Sequence, residues 1–275
     1  MGRYFPYRMH PLSVGECIDA TLSDSDIRDP RPCEHTILEK LLQFGGFPVP
    51  YLKQNSRFSV RWQNLRQQQL FREDIRDVSS VMDIQRMEIL AKILISQVGS
   101  LTTYSNLAKK VRASIDTITR WIHLLESFYF CYLIRPWSQN ITRSLLKEPK
   151  IFLWDWSLIK DPGKRAENFI ASHLLKAVHY WNDMGFGEYE LHYLRDLEKR
   201  EVDFIVTKNN KPWFLVEVKQ SNNSGIGKNL YYFFEKSGAE HAFQVVIDTP
   251  YVQKNCFEYI APVIVPASTF LSQLV

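Results

Sequence analysis

The sequence predicts an α+β protein, with an N-terminal helical region followed by a mixed α/β sheet. Three observations carry that expectation. Apolar residues recur at helical spacing at Met87, Leu90, Ala91 and Leu94, and again at Ile115, Ile118, Ile122 and Leu125. Between residues 188 and 218 the pattern changes to three consecutive strand-like runs, "EYELHYLRD", "EVDFIV" and "PWFLVEV". Helix-like segments flank those runs, giving the β-α-β alternation with an antiparallel meander inside it that a mixed sheet produces. At 275 residues, 45% apolar and 23% charged, the chain is an ordinary folded one with room for two modest domains or one large one.

Residues 1–55 are proline-rich and irregular apart from "CEHTILEKLLQFGG", a helical run stopped by Gly45 and Gly46. The segment is short for a core of its own and reads as part of something larger. Residues 56–149 are helical. A short helix in "TYSNLAKKVRAS", a tight turn, a longer helix capped by Ser114 and then strand-like "FYFCYLIRPW" follow the order of a winged helix-turn-helix. Thr117, Arg120 and His123 are expected to face outward on the longer helix, where such motifs meet bases or phosphates. Lys109, Lys110, Arg112 and Arg120 form a basic group there, and Arg57, Arg61, Arg66, Arg72 and Arg76 form another, interleaved with Glu73, Asp74 and Asp77. Such groups suit a phosphate backbone, and they also describe a solvated helix face. Winged helices serve as DNA readers and as protein-docking modules alike. Residues 150–275 then give the strand "KIFLWDW", the helix "RAENFIASHLLKAVHYW", the three-strand meander, the helix "GKNLYYFFEKSG" and the strand "AFQVVID".

Charges inside the meander call for a reason, because an unpaired charge on a half-buried strand is costly. With Asn210 as the centre of the turn in "EVDFIVTKNNKPWFLVEVK", Asp203 faces Glu217 and Glu201 faces Lys219. Opposed Cβ atoms lie about 5 Å apart, so the two carboxylates repel unless a cation or a proton sits between them. A divalent ion that takes few protein carboxylates and keeps several waters fits, which describes Mg²⁺. Lys219, on the face of Glu217, is then placed to hold a water or to steady charge developing on a phosphate.

Asp203, thirteen intervening residues, then Glu217 and Lys219 on the next strand resemble the PD-(D/E)XK nuclease core. Glu167, near the start of the preceding helix, is similar to the extra acidic residue that many members place there as a further metal ligand. More widely, "HPLSVGE" (10–16), "GGFP" (45–48), "REDIRD" (72–77), "KIFLWDWSL" (150–158), "AENFI" (166–170), "EVDF" (201–204) and "VEVK" (216–219) occur in an order that resembles a large prokaryotic family of AAA+-type ATPases with an uncharacterised C-terminal domain. The resemblance implies an ATPase remnant at 1–55, a winged-helix domain at 56–149 and a restriction-endonuclease-like domain at 150–275 using Mg²⁺. Complete members carry a phosphate-binding loop, and this chain resembles one that begins inside its ATPase domain, with Arg3 just past the last ATPase strand. Its one look-alike loop, "NNSGIGKN" (222–229), has Asn222 in place of the first glycine and Asn229 in place of the metal-binding Ser or Thr. ATP hydrolysis by this chain alone is therefore not expected.

Other features are plainer. The seven histidines show no paired ligand spacing, and His173 and His179 read as structural or solvent-facing. Cys17, Cys33, Cys131 and Cys256 are scattered and suggest neither a zinc site nor a disulfide framework. The run "LYYFFEK" (230–236) has core spacing, and Asp155 reads as a cap on the turn that follows it. With no signal segment or membrane-length apolar run, the cytosol is the expected compartment. Two readings of function stand side by side. One is a Mg²⁺-dependent phosphodiesterase acting on DNA or RNA through Asp203, Glu217, Glu167 and Lys219. The other is a non-catalytic module that binds nucleic acid, a partner protein or a second copy of itself.

Overall fold

Two asparagines in the left-handed region, Asn209 (φ 52°) and Asn210 (φ 63°), make the tight turn on which the sheet is centred. The computed structural model describes residues 7–78, 83–138, 149–222 and 225–275. Arg3, Asn223 and Ser224 lie outside the described residues, and so does the side chain of Asp77.

Helices α1 (Val14–Ile18), α2 (His35–Phe44), α3 (Pro48–Lys53), α4 (Ser56–Gln69), α5 (Ile75–Val78), α6 (Ile84–Ser96), α7 (Tyr104–Val111) and α8 (Ile115–Ser127) come first. Strands β1 (Cys131–Pro136) and β2 (Lys150–Leu153) follow, then α9 (Pro162–Asp183). The meander is β3 (Tyr189–Arg195), β4 (Glu201–Lys208) and β5 (Lys211–Lys219), followed by α10 (Lys228–Ser237), β6 (His241–Val246), β7 (Val263–Pro266) and α11 (Ala267–Ser272). All seven strands form one sheet in the order β2-β1-β3-β4-β5-β6-β7. The meander is antiparallel, as expected, while β5, β6 and β7 run parallel.

The meander alternates between two cores. Phe204, Val206, Phe214 and Val216 join the main core with α9, and Ile205 and Leu215 turn to a smaller one with Leu230 and Phe233 of α10. Two-sided burial explains why these strands read as nearly continuous apolar runs. Helix α9 starts where Asp161 accepts from the Lys164 amide, with Pro162 in the first turn.

One expectation is revised. The strand expected to follow the helix pair as a wing belongs to the main sheet, antiparallel to β2 and parallel to β3. The segment before residue 55 packs against the sheet domain. Ser13 and Glu16 form a capping box on α1, the Val14 amide donates to His173 Nε2 at 3.0 Å, and Trp181 Nε1 donates to the Asp26 carbonyl at 2.6 Å. His173, 2% exposed, is thus a structural anchor. Burial holds its pKa down at about 3, so it stays neutral and free to accept that bond.

Candidate functional site

The β4–β5 register brings the predicted carboxylates together. Phe204 pairs with Val216, Ile205 with Leu215 and Val206 with Phe214, while next to the turn Thr207 pairs with Pro212 and Lys208 with Lys211. The turn is therefore centred between Asn209 and Asn210, half a residue before the expected centre, and the bulge at Trp213 restores the expected register further along. One step past the Phe204–Val216 pair stand Asp203 and Glu217. There the Asp203 side chain takes over from the ladder, its Oδ2 accepting from the Val218 amide at 2.8 Å.

Glu217 is 9% exposed. Lys219 Nζ lies 2.7 Å from its Oε1, while its Oε2 is buried with no hydrogen-bond partner. The backbone before α10 presses on this carboxylate: a Cβ on Gly227 would stand 3.0 Å from Oε1. Buried Gln244 holds that backbone, accepting from the Gly227 amide and donating to the Gly225 carbonyl, both at 2.9 Å. Burial first, and then the charge of Glu167, push the Asp203 carboxyl up to about 7. The Val218 amide and Lys150 only partly offset this.

A second cluster adjoins the first. Lys150, 2% exposed at the start of β2, places Nζ 3.2 Å from Glu167 Oε1 and 2.5 Å from Glu201 Oε1. Arg195 approaches Glu201 Oε2 at 2.8 Å. Glu201 therefore does not pair with Lys219, as expected from the hairpin alone; its β3 neighbour Arg195 and buried Lys150 claim it. Burial disfavours the Lys150 ammonium, but Glu167, Asp203 and Glu201 outweigh that and raise its pKa. The loop after α6 closes over Glu167: Gly99 donates to the Ile151 carbonyl at 3.0 Å, and a Cβ there would stand 3.0 Å from both Glu167 oxygens.

The structure thus brings Asp203, Glu217 and Lys219 together, with Glu167 held beside them by Lys150. Lys150, Gly99 and Gln244 were missed. The signal for Lys150 was a charged residue heading the apolar run "KIFLW". Gly99 and Gln244 gave none, because each acts across a long sequence separation.

Hard carboxylate oxygens suit Mg²⁺, and an orphaned buried oxygen beside a second carboxylate is what such an ion would satisfy. Asp203 and Glu217 would hold it. Glu167 already has Lys150, and among the described residues no three acidic, histidine or cysteine side chains converge on one point as a ready-made metal site.

The predicted nucleic-acid residues lie on the α7–α8 pair. Lys109, Lys110, Arg112 and Arg120 are exposed, with Arg112 left-handed (φ 57°) in the turn between the helices. Thr117 is half-buried and bonded to the cap Ser114, its hydroxyl 2.8 Å from Ser114 Oγ. The apolar face of α8 is Ile118, Trp121, Ile122 and Leu125, while Ile115, at the first helical position, is 52% exposed. Asp155 caps the turn after β2, accepting from the Ser157 amide at 3.1 Å. Leu230 and Phe233 of the aromatic run are core, and Tyr231 is exposed.

The chain is a mixed α+β protein with a helical N-terminal region and a seven-stranded mixed sheet. Residues 35–161 match a domain of unknown function, DUF8612, and residues 162–261 match a second, DUF4143, which is found in AAA-ATPase-associated proteins. The junction between the matches falls at the cap of α9, so β1 and β2 lie in the first and β3–β6 in the second, with β7 just beyond it. No curated protein and no solved structure matches the chain. No helix among the described residues is long and apolar enough to cross a membrane.

Proposed function

We propose that the β4–β5 carboxylates form a divalent-metal phosphodiester site on a nucleic-acid-associated protein, related to the C-terminal part of AAA+-type ATPases and of PD-(D/E)XK type. One observation carries this reading: Glu217 keeps a buried oxygen without a partner beside Asp203, whose carboxyl is itself pushed up to about 7. The pair is short of one cation. Asp203 and Glu217 hold Mg²⁺, and Glu167, fixed by Lys150, completes the anionic wall. When bound, the ion supplies Lewis acidity toward a phosphate oxygen and lowers the pKa of water. Lys219, half-exposed, orients the attacking water and steadies charge developing on the phosphate. Calorimetry with Mg²⁺ and Mn²⁺ tests this. Binding that Asp203→Ala abolishes, together with nucleic-acid cleavage that Lys219→Ala abolishes, supports it; no metal bound at millimolar concentration overturns it.

A second observation favours a non-catalytic reading. Lys109, Lys110, Arg112 and Arg120 are exposed on the helix pair, and none forms a side-chain ion pair with an acidic residue among the described residues. On that reading α7 and α8 bind a phosphate backbone or dock a partner and report to an ATPase. DNA binding that survives Asp203→Ala, and whose salt dependence weakens by about 0.9 in log–log slope for each phosphate-contacting cation removed, such as Arg112 or Arg120, distinguishes it.

A further inference from the structure

Apart from Lys150, three of the stretches that carry the family resemblance lie away from the carboxylate site. Asp74 of "REDIRD" and Asp155 and Leu158 of "KIFLWDWSL" line a cavity of about 390 Å³ with Trp62, Arg66 and Tyr129, and Phe47 of "GGFP" packs against its Arg66. Neither Asp203, Glu217 nor Lys219 lines it.

Its polar groups are held in place and left unsatisfied. The Arg66 guanidinium stacks 3.7 Å over the Phe47 ring and 5.4 Å from that of Trp62. It has no hydrogen bond or ion pair among the described residues, although burial works against its charge. A guanidinium carries five N–H donors in a fixed fork, and leaving them unpaired out of bulk water is costly. Asp155 is 6% exposed. Its Oδ1 accepts from the Ser157 amide and hydroxyl, at 3.1 and 2.5 Å, and its Oδ2 receives no bond among the described residues. Arg66 and Asp155 thus line one cavity without closing on each other. Gly45 (φ 80°) keeps that arrangement open, since a Cβ there would stand 3.0 Å from Asp155 Oδ1. A π-helical turn at Leu70–Asp74 continues α4 and brings Asp74 to the rim. Such turns recur at functional sites.

Size, charge and shape narrow the ligand class. The volume falls within the range of small-molecule sites. The charged lining is one cation and two acids, which disfavours a phosphate inside the cavity. A planar ring is favoured, with acceptors toward Arg66, donors toward Asp155, and Trp62 and Tyr129 beside its faces. Guanine offers O6 and N7 to an arginine fork and N1–H and N2–H to a carboxylate, here to the open Oδ2 of Asp155. Adenine and cytosine cannot present both pairs.

We propose that this cavity binds a guanine base between Arg66 and Asp155, with its sugar and phosphate outside. The site is independent of the metal reading and stands or falls without it. Calorimetry on the whole chain with GMP, AMP and CMP tests it, alongside a thymidine oligonucleotide carrying one central guanine. Submillimolar GMP binding is expected, with AMP and CMP weaker by about tenfold or more. Arg66→Met, which keeps the stacking bulk, should abolish it. Tyr129 is 58% exposed with φ 55°, so Tyr129→Asn suits the backbone, gives up an edge contact with Trp154 and should weaken binding severalfold. Tighter binding of the oligonucleotide identifies the source as a nucleic acid, and tighter GMP binding identifies it as a free nucleotide; either supports the site. No GMP binding at millimolar concentration, equal binding of AMP, or binding unchanged in both variants overturns it.

Discussion

Two lysines sit beside glutamates at one end of the sheet, and they are in opposite situations. Lys150 is 2% exposed and neutralises Glu167 and Glu201, with Arg195 in support. Lys219 has a side chain 42% exposed and reaches only one oxygen of Glu217, leaving the other bare beside Asp203. The first cluster is charge-balanced by the protein itself. The second is not, and the imbalance is what distinguishes a candidate binding site from a structural ion pair.

The largest expected effect breaks this comparison if it fails. Lys150→Met strands two carboxylates with their buried cation removed and should cost about 3–5 kcal/mol in urea unfolding. Lys219→Met should cost under about 1 kcal/mol, because its pair is screened by solvent. Equal losses would mean that the two clusters play the same role.

The pH dependence sharpens the contrast. The folded-state pKa of Asp203 is about 7, above its ordinary 3.8. Between about pH 4 and 7 the folded chain therefore keeps a proton that the unfolded chain has released. The contribution to stability is fully present below pH 4 and is lost as pH rises through 7, by on the order of 2 kcal/mol after discounting for its neighbours. Metal-free urea titrations of Asp203→Asn should lack that slope, and a slope unchanged in the variant would assign it to another group.

A glycine against each cluster gives the next test. Gly99→Ala puts a Cβ against both Glu167 oxygens at φ 68° and should cost about 1–2 kcal/mol. Gly227 has an ordinary φ of −60°, so Gly227→Ala should cost less and should act by displacing Glu217, seen as weakened Mn²⁺ binding. The smallest effect belongs to the helix pair: Arg120→Ala should leave thermal stability within about 0.5 kcal/mol.

The sheet was legible where its pattern is local. Alternation and the Asn209–Asn210 turn were enough to oppose Asp203 and Glu217, although the bulge at Trp213 was not visible and its effect happened to cancel the misplaced centre. The fate of Glu201 was not legible, because its partners come from β2 and β3 rather than from its own hairpin. Nor were β7 and α11. Ser268, Thr269, Ser272 and Gln273 are buried there, and four polar residues in six hide a core helix from any hydropathy pattern. Their partners are remote: Thr269 Oγ1 bonds both backbone groups of Val252, and Gln273 Oε1 accepts from the Cys256 amide.

Those remote partners also bear on how the chain matures. Gln273 Nε2 donates to the Arg28 carbonyl across 245 residues, the Arg31 guanidinium bonds the Ser272 carbonyl, and the backbone at Val275 lies against Gly15. At ribosomal speeds of about 5–20 residues per second, the early segment waits roughly 12 to 50 s for the helix that covers it. During that interval α1, with its buried Val14, lacks the helix it packs against. Nascent chains of this protein should therefore engage holding chaperones until residues 267–275 have been made and can dock.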